Sequence, residues 1–233
     1  MLGIDMCTDA IQLWHGNIAA EDGDYRNYWR ILDAAEQAHA EKIKNDLLHK
    51  RYVEVHGRLR NVLAQTLNES PEKIRINKAE HGKPYLVDTP ELAFNLSHSG
   101  SAMVIALAWN CQLGVDMEYC KPRSGLAGLV EKCFAAEESA YWHKLPEAQK
   151  TVGFYRFWTR KEAFVKATGR GIGLGLNQCV VNPEDQAGFL RVPADYGQAS
   201  IWHAVDIALG QGVCAALVTD KDIVETKLIE FEL

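Results

Sequence analysis

The alternation of apolar and polar residues predicts a chain in which strands and helices follow one another. Residues 11–18 and 113–119 alternate as half-buried strands do, and the continuously apolar residues 101–109 predict a buried strand. Near the end of the chain, residues 200–208 and 213–219 predict two further strands joined by a Gly-Gln-Gly turn. The pattern therefore predicts sheet structure in both parts of the chain.

Apolar residues at helical spacing lie between these strands. Residues 28–35 and about 38–67 predict two helices, the second with a break near Gly57. Residues 135–144 and 148–157 predict two more. Each part of the chain is therefore expected to contain helices that precede a pair of strands.

A turn of small residues leads into a buried strand twice along the chain. The first turn, residues 98–100, precedes the apolar residues 103–108, and the second, residues 209–212, precedes the apolar residues 213–218. This repetition predicts an α+β fold of two similar halves that meet near residue 112. We therefore expect one half to cover residues 1–112 and the other residues 113–233.

Residues 157–170, with the sequence FWTRKEAFVKATGR, hold the main candidate for chemistry. At 100° per residue their large apolar side chains form one arc, with Glu162 at its edge and Lys166 one turn later on the same side. An ordinary ion pair worth about 0.2–0.5 kcal/mol has the same spacing. Lys161 falls inside the arc, where a charge is costly unless its stem reaches solvent or an anion pairs with it. Gly169 is expected to end the helix.

Two acids share one face of the strand predicted before this helix. Asp116 and Glu118 project from one side, while Val115, Met117 and Tyr119 project from the other. Two carboxylates in this arrangement repel each other unless a cation lies between them. Carboxylate oxygens suit a hard divalent ion such as Mg²⁺. An exposed strand face with scattered acids is the plainer alternative.

Composition restricts the class of partner. The 233 residues are 47% hydrophobic, which suffices for a real core, and the net charge of −6 argues against nucleic acid as the main partner. The longest apolar run, residues 102–109, is far shorter than the ~20 residues that cross a bilayer. The six cysteines show neither disulfide nor zinc spacing, so reduced thiols are expected. We therefore expect a cytoplasmic protein that binds neither nucleic acid nor membrane.

Two local clusters of basic residues depart from the acidic average. One lies within residues 42–60, and the other within residues 160–170. Either cluster could hold a small polyanion or an acidic partner, and either could be a solvated helix face.

Four motifs occur in a fixed order along the chain. They are GKP (residues 82–84), NLSHS (residues 95–99), GVDME (residues 114–118) and WTRKEAFVK (residues 158–166). Together they resemble the signature series of the 4'-phosphopantetheinyl transferases, particularly the surfactin-synthetase-activating (Sfp) type. The resemblance implies a pseudodimeric α+β monomer with its site in the cleft between the halves. The N-terminal half would contact the nucleotide of coenzyme A, and the C-terminal half would supply the metal ligands and the catalytic helix.

The resemblance also implies an activity. Such enzymes transfer the 4'-phosphopantetheine arm of coenzyme A to a serine of an apo acyl, peptidyl or aryl carrier protein, and they release adenosine 3',5'-bisphosphate. Asp116, Glu118 and Glu162 match the Mg²⁺ ligands of the family. Glu162 would also take the proton from the carrier serine, directly or through a metal-bound water. Lys166 matches the cation that stabilises the departing bisphosphate.

Further residues match the coenzyme-binding positions of the family. Ser97 and His98 would meet the diphosphate, and Lys83 would lie beside the nucleotide. The family uses a basic residue on the early helix for the 3'-phosphate, for which Lys42 is the first candidate and Arg51 the second. Lys161, in the apolar arc, is expected to serve a coenzyme phosphate or the carrier.

The carrier domains of this family are typically acidic around the modified serine. Arg160, Arg170 and the apolar loop of residues 126–130 are therefore expected to receive them. Two alternatives remain: a Mg²⁺-dependent phosphodiesterase acting on a nucleotide diphosphate, and a coenzyme-A-binding protein without activity. The presence of all three acids disfavours the second alternative, and an assay without carrier distinguishes the first.

Overall fold

The first half of the chain runs from a strand through helices to an antiparallel pair of strands. The computed structural model describes residues 10–20, 24–184, 188–223 and 225–231. The elements of the first half are β1 (Ile11–Asn17), α1 (Tyr25–Ile31), α2 (Ala34–Ala40), α3 (Asp46–Leu67), β2 (Ile76–Lys78), β3 (Pro84–Leu86), β4 (Leu92–Ser99) and β5 (Ala102–Trp109). A short 3₁₀ helix, Pro71–Lys73, follows α3.

The second half repeats this order. Its elements are β6 (Leu113–Tyr119), α4 (Leu126–Cys133), α5 (Ala136–Lys144), α6 (Glu147–Thr168), β7 (Val180–Val181), β8 (Phe189–Arg191), β9 (His203–Asp206), β10 (Val213–Thr219) and β11 (Thr226–Glu230). Short 3₁₀ helices lie at Gly171–Leu174, Leu176–Gln178, Ala194–Tyr196 and Ala199–Ile201. In each half one strand precedes two short helices, a helix of 22 residues, a two-stranded hairpin and an antiparallel pair. The predicted α+β fold of two similar halves is confirmed.

Two sheets form the centre of the fold. The first has the order β11-β1-β5-β4 and the second the order β6-β10-β9. Strand β11 pairs in parallel with β1, although it lies at the far end of the sequence. The sequence boundary near residue 112 falls between β5 and β6, but the last strand crosses it to join the sheet of the first half.

Three core clusters separate four layers of structure. Leu59 of α3 packs in one cluster with Phe94 of β4, and Leu13 of β1 packs in another with Met117 of β6. Phe164 of α6 belongs to a third cluster, which covers the other face of the second sheet. The layers are therefore helix α3, the first sheet, the second sheet and helix α6.

Helix boundaries in the first half differ from the prediction. Three helices replace the predicted two, because Asp33 caps the start of α2 and Asn45 caps the start of α3 through their side chains. The helix does not break at Gly57. A Cβ atom there would lie 2.4 Å from Tyr28 Cδ1, so the glycine lets α1 approach α3 closely. The apolar spacing identified the helical region but not the caps within it.

Helix α6 is continuous across the two segments predicted separately. It ends at Gly169, whose φ of 70° lies in the left-handed region, as predicted. No helix in the described part of the chain combines the length and apolarity that a bilayer crossing needs.

Gly114 determines how closely α6 approaches β6. A Cβ atom at this position would lie 2.0 Å from Ala163 O and 2.4 Å from Ala167 N, both backbone atoms of α6. We expect Gly114→Ala to destabilise the protein by about 1–3 kcal/mol or more, because the helix must move to admit a methyl group. Urea unfolding followed by tryptophan fluorescence measures the loss.

Gly128→Ala is the matched control for this substitution. Gly128 lies inside α4, and no atom lies within 4 Å of the position of its Cβ. Alanine there should leave stability unchanged or raise it by about 0.5–1 kcal/mol through helix propensity. Equal stabilities of Gly114→Ala and wild type would show that α6 does not depend on this close contact.

Candidate active site

Strands β4 and β6 meet at the edges of the two sheets, and side chains connect them. Alternate side chains of β4 accept hydrogen bonds from alternate amides of β6, each twenty residues further along the chain. The pairs are Val115 N to Asn95 Oδ1 (2.9 Å), Met117 N to Ser97 Oγ (3.3 Å) and Tyr119 N to Ser99 Oγ (3.4 Å). We call these three β4 side chains and their amide partners the polar seam. The seam satisfies amides that an edge strand would otherwise leave unpaired.

The two serines of the polar seam also bind the two acids of β6. Ser97 Oγ donates to Asp116 Oδ1 (2.9 Å), and Ser99 Oγ donates to Glu118 Oε2 (2.6 Å). Asp116 is buried, and its Oδ2 atom has no hydrogen-bond partner among the described residues. The side chain of Gly114 would lie on the same face of β6, so this face is the one that α6 covers.

Helix α6 brings Lys166 and Glu162 to these acids. Lys166 Nζ donates to Asp116 Oδ1 (2.7 Å) and to Val115 O (3.2 Å). Burial raises the pKa of the Glu162 carboxyl above its usual range, and the negative charges of Asp116 and Glu118 raise it further, against the opposing effect of Lys166. Three carboxylates from two distant segments thus act on one another.

The residues of this cluster suit a hard divalent cation. The Oδ2 atom of Asp116 accepts no hydrogen bond from the described residues, so it can serve as an oxygen ligand. A cation would also relieve the repulsion between the carboxylates that raises the pKa of Glu162. Within the described ranges, no three His, Cys, Asp or Glu side chains already surround a point at which a metal could sit. Lys166 holds Asp116 Oδ1 instead. The donor set fits the ion, whereas the Mg²⁺ site itself stays a prediction.

Basic side chains of α3 and α6 act on His98 at the end of β4. His98 is exposed, yet partial loss of water around its ring lowers its pKa, and Lys166, His56 and Arg51 lower the pKa further. His98 is therefore largely neutral at pH 7. The Nε atom of Arg51 is buried without a hydrogen-bond partner in the described structure. These groups suit an anion lying between α3 and the end of β4.

Lys83 connects the two halves through hydrogen bonds to the backbone. Its Nζ donates to Leu113 O (3.2 Å) at the start of β6 and to Ala167 O (2.5 Å) at the end of α6. Burial lowers the pKa of Lys83 to about 8. Two of the three N–H groups of the ammonium therefore bind backbone carbonyls. The predicted contact with a nucleotide would use the third N–H group.

A cleft of about 270 Å³ opens onto these groups. It is lined by Lys83, Asn95, Glu162 and Lys166 among others. A second cavity of about 380 Å³ is lined by Lys42, Tyr52 and His56, and Pro84 lines both. The structure therefore places Lys42 along the second cavity and Arg51 near His98, and the choice between these two candidates stays a prediction.

Lys161 does not face the cleft, and its predicted role is wrong. Its side chain is fully buried, and Nζ lies 2.7 Å from Glu138 Oε2 while donating to Leu176 O (2.9 Å) and Cys179 O (2.5 Å). Glu138 also accepts from Val181 N (2.7 Å). All donors of the ammonium are committed, so Lys161 fixes the segment after α6 rather than a phosphate or the carrier.

Ser97 also differs from its predicted role. Its hydroxyl is buried, and its single proton goes to Asp116, so it cannot donate to a diphosphate in this arrangement.

The predicted carrier contacts change as well. Arg160 is buried and forms two hydrogen bonds with Asp206 (2.7 and 2.8 Å). Residues 126–130 lie in a helix, α4, that buries Leu126 and Val130. Arg170 remains exposed.

Two features of the site escaped prediction. Glu138 was not identified, although Lys161 within an apolar arc required an anionic partner from outside the helix. Asn95 and Ser99 stood within a recognised motif, but their contacts with β6 were not predicted. The alternation of polar residues along β4 was the available signal, since it places Asn95 and both serines on one face.

The carboxylates of β6 and α6 and the fixed ammonium beside them suit the class of enzymes that transfer or cleave phosphate groups. Comparison with known proteins gives the family. The sequence profile of the 4'-phosphopantetheinyl transferase superfamily matches residues 112–218, and that of the 4'-phosphopantetheinyl transferase N-terminal domain matches residues 20–110. The chain belongs to the 4'-phosphopantetheinyl transferase family.

Individual relatives agree with this assignment. The chain is 31% identical over 195 residues to the 4'-phosphopantetheinyl transferase HetI of Nostoc sp. These residues are 82% of this chain and 82% of the relative. It is 30% identical over 175 residues to a 4'-phosphopantetheinyl transferase of Bacillus subtilis, covering 74% of this chain and 76% of the relative. The 4'-phosphopantetheinyl transferase Sfp of Bacillus subtilis is 29% identical over 160 residues, which are 68% of this chain and 70% of the relative.

Proposed function

We propose that the junction of the two halves is where this protein transfers the 4'-phosphopantetheine arm of coenzyme A to a serine of an apo carrier protein. The transferase activity follows from the family, and coenzyme A is the donor substrate. The observation that supports this location is the gathering of Asp116, Glu118, Glu162 and Lys166 beside the cleft. The first half would contact the nucleotide, and the second half would hold the metal ligands and the catalytic helix.

Asp116, Glu118 and Glu162 would hold Mg²⁺. When bound, the ion would supply positive charge to the diphosphate oxygens, which favours cleavage between its two phosphorus atoms. The unpartnered Oδ2 of Asp116 and the raised pKa of Glu162 support this ligand set.

The residues of the chain have separate tasks in the transfer. The serine oxygen of the carrier forms a bond to the phosphorus that bears the pantetheine arm, while the bond from that phosphorus to the bridging oxygen breaks. Glu162, whose pKa is raised, would accept the serine proton. Lys166 would neutralise the departing adenosine 3',5'-bisphosphate, and neutral His98 would donate a hydrogen bond to a phosphate oxygen.

The carrier would approach the end of α6 next to the cleft. Arg170 is exposed there and carries a positive charge suited to an acidic carrier.

One chain supplies both sides of the cleft, which supports a monomer with an internal pseudo-two-fold arrangement. The cysteine spacing of the sequence supports a cytoplasmic location.

Mass spectrometry of carrier proteins tests the proposal. We expect an apo carrier incubated with the protein, coenzyme A and Mg²⁺ to gain the mass of one phosphopantetheine arm, and omission of Mg²⁺ to abolish the gain. A panel of acyl, peptidyl and aryl carriers would also identify the acceptor class. Hydrolysis of coenzyme A in the absence of any carrier would favour a phosphodiesterase instead.

Arg51 is proposed to bind the 3'-phosphate of coenzyme A. We expect Arg51→Met to raise the KM for coenzyme A by about 10-fold or more, since a charge-assisted hydrogen bond contributes about 1.5–3 kcal/mol. The KM for dephospho-coenzyme A, which lacks that phosphate, should change by less than about twofold because no such bond exists to lose.

Lys42→Met is the matched control for Arg51→Met. Lys42 is exposed and lines the second cavity, so its removal should change both KM values by less than about twofold, as for a solvated charge. An equal effect of Arg51→Met on both coenzymes, or a selective effect of Lys42→Met, would assign the 3'-phosphate elsewhere.

A further inference from the structure

The serine hydroxyls of the polar seam have a double role that depends on their chemistry. A hydroxyl carries one proton to donate and two lone pairs to accept. Ser99 Oγ gives its proton to Glu118 Oε2 at 2.6 Å and accepts the amide proton of Tyr119. Ser97 does the same for Asp116 and Met117. Each acid of β6 is therefore fastened through one oxygen to the neighbouring sheet.

The fastening leaves the second oxygen of each acid available. Oδ2 of Asp116 is buried without a partner, and no described residue donates a hydrogen bond to Oε1 of Glu118. A carboxylate whose one oxygen is fixed by a hydroxyl can turn little about its terminal bond, so its other oxygen keeps one direction. Residues that form hydrogen bonds with metal ligands usually orient the ligands in this way.

We propose that Ser99 is a positioning residue that orients Glu118 toward a divalent cation, with Ser97 orienting Asp116 in the same way. This inference rests on the proposed function, since it assumes that the two acids are ligands. Ser99 belongs to the first half and Glu118 to the second, so cation affinity depends on how the two sheets sit against each other.

A serine–carboxylate bond away from the site provides a matched control. Ser139 donates to Glu131 at 3.1 Å on an exposed surface. Ser139→Ala therefore removes a bond of the same kind as that of Ser99 without touching β6.

The main test uses a pair of substitutions of equal shape. Ser99→Val and Ser99→Thr place the same branched side chain at the half-buried position 99, and only threonine keeps the hydroxyl. Equilibrium binding of Mn²⁺, followed by the electron paramagnetic resonance signal of the free ion, reports affinity without any turnover. We expect Ser99→Val to weaken Mn²⁺ binding by about 10–100-fold and Ser99→Thr to stay within about threefold of wild type.

Kinetics provide the second readout. In Ser99→Val the Mg²⁺ concentration for half-maximal carrier loading should rise by the same factor as the Mn²⁺ dissociation constant, while kcat at saturating Mg²⁺ stays within about threefold, as expected when only ligand orientation is lost. Ser139→Ala should change neither the Mn²⁺ affinity nor the rate.

The outcomes distinguish this inference from the proposed function. If Asp116→Asn abolishes Mn²⁺ binding but Ser99→Val binds Mn²⁺ like Ser99→Thr, the ligand set stands and the positioning role is overturned. If Asp116→Asn leaves Mn²⁺ binding unchanged, the ligand set fails and the positioning role fails with it. A melting-temperature loss in Ser99→Val with unchanged affinity would also overturn the inference, because it would show a purely structural serine.

Discussion

Glu162→Gln is expected to lower kcat for carrier loading by about 10²–10⁴-fold, the usual contribution of a positioned proton acceptor. Glutamine keeps the shape of the side chain but neither accepts the proton of the carrier serine nor brings negative charge to a cation. The loss should appear at saturating coenzyme A, carrier and Mg²⁺, measured as the initial rate of mass gain by the carrier.

The same substitution should not weaken the fold. The pKa of Glu162 is raised in the folded protein, first by burial and then by Asp116 and Glu118. A carboxyl with a raised folded pKa binds its proton more tightly when folded, so its contribution to stability is lost as the pH rises through that pKa. At pH 7 without metal, the charged Glu162 therefore costs stability. Glu162→Gln should be at least as stable as wild type there, and the pH-dependent loss should disappear.

A control on the same helix completes this experiment. Glu147 lies at the exposed start of α6, so Glu147→Gln should leave the rate unchanged. Full activity of Glu162→Gln would remove Glu162 from the chemistry. Loss of activity together with loss of stability would mean that the side chain supports the fold rather than the transfer.

Lys161→Met is expected to cost about 3–5 kcal/mol of unfolding free energy, the usual result of leaving a buried charge alone. Lys161 and Glu138 are both fully buried, and their closest charged atoms lie 2.7 Å apart. Burial raises the pKa of Glu138, and Lys161 opposes that rise. Without the ammonium, Glu138 must either stay charged in an apolar core or take up a proton. Two backbone carbonyls also lose their donor.

The double substitution Glu138→Leu with Lys161→Met tests the cause. Removing both charges should recover a large part of the loss, since apolar residues of similar volume often replace a buried ion pair without penalty. Urea unfolding at pH 7 measures the wild type and both variants, and KM for coenzyme A should stay within about twofold, since the ammonium lies outside the cleft. A stable Lys161→Met with a raised KM for coenzyme A would restore the role first predicted for this lysine.

The strands and the end of helix α6 were predictable because their patterns are local. Residues 113–119 alternate cleanly, and the structure has β6 over that same range. Gly169 ends α6 because glycine adopts the left-handed conformation without a side-chain clash. Helix starts in the first half were misplaced, because caps such as Asp33 depend on one side chain rather than on a repeating pattern.

The site was predictable only as far as residue types and helix faces reach. The border position of Glu162 and Lys166 and the shared face of Asp116 and Glu118 follow from single elements. The contacts between elements do not: Lys166 with Asp116, Ser99 with Glu118 and Lys161 with Glu138 join distant segments. Lys161 shows the limit clearly, since its cost in an apolar arc was evident but the identity of its partner was not.

Strand β11 has a consequence for how the protein is made. Without β11, β1 is the outer strand of the first sheet, with its backbone groups unpaired on one side. During synthesis the first half therefore emerges from the ribosome with this edge open, and it stays open until residues 226–230 have been added. The first sheet therefore reaches its final strand order only after the second half has been made.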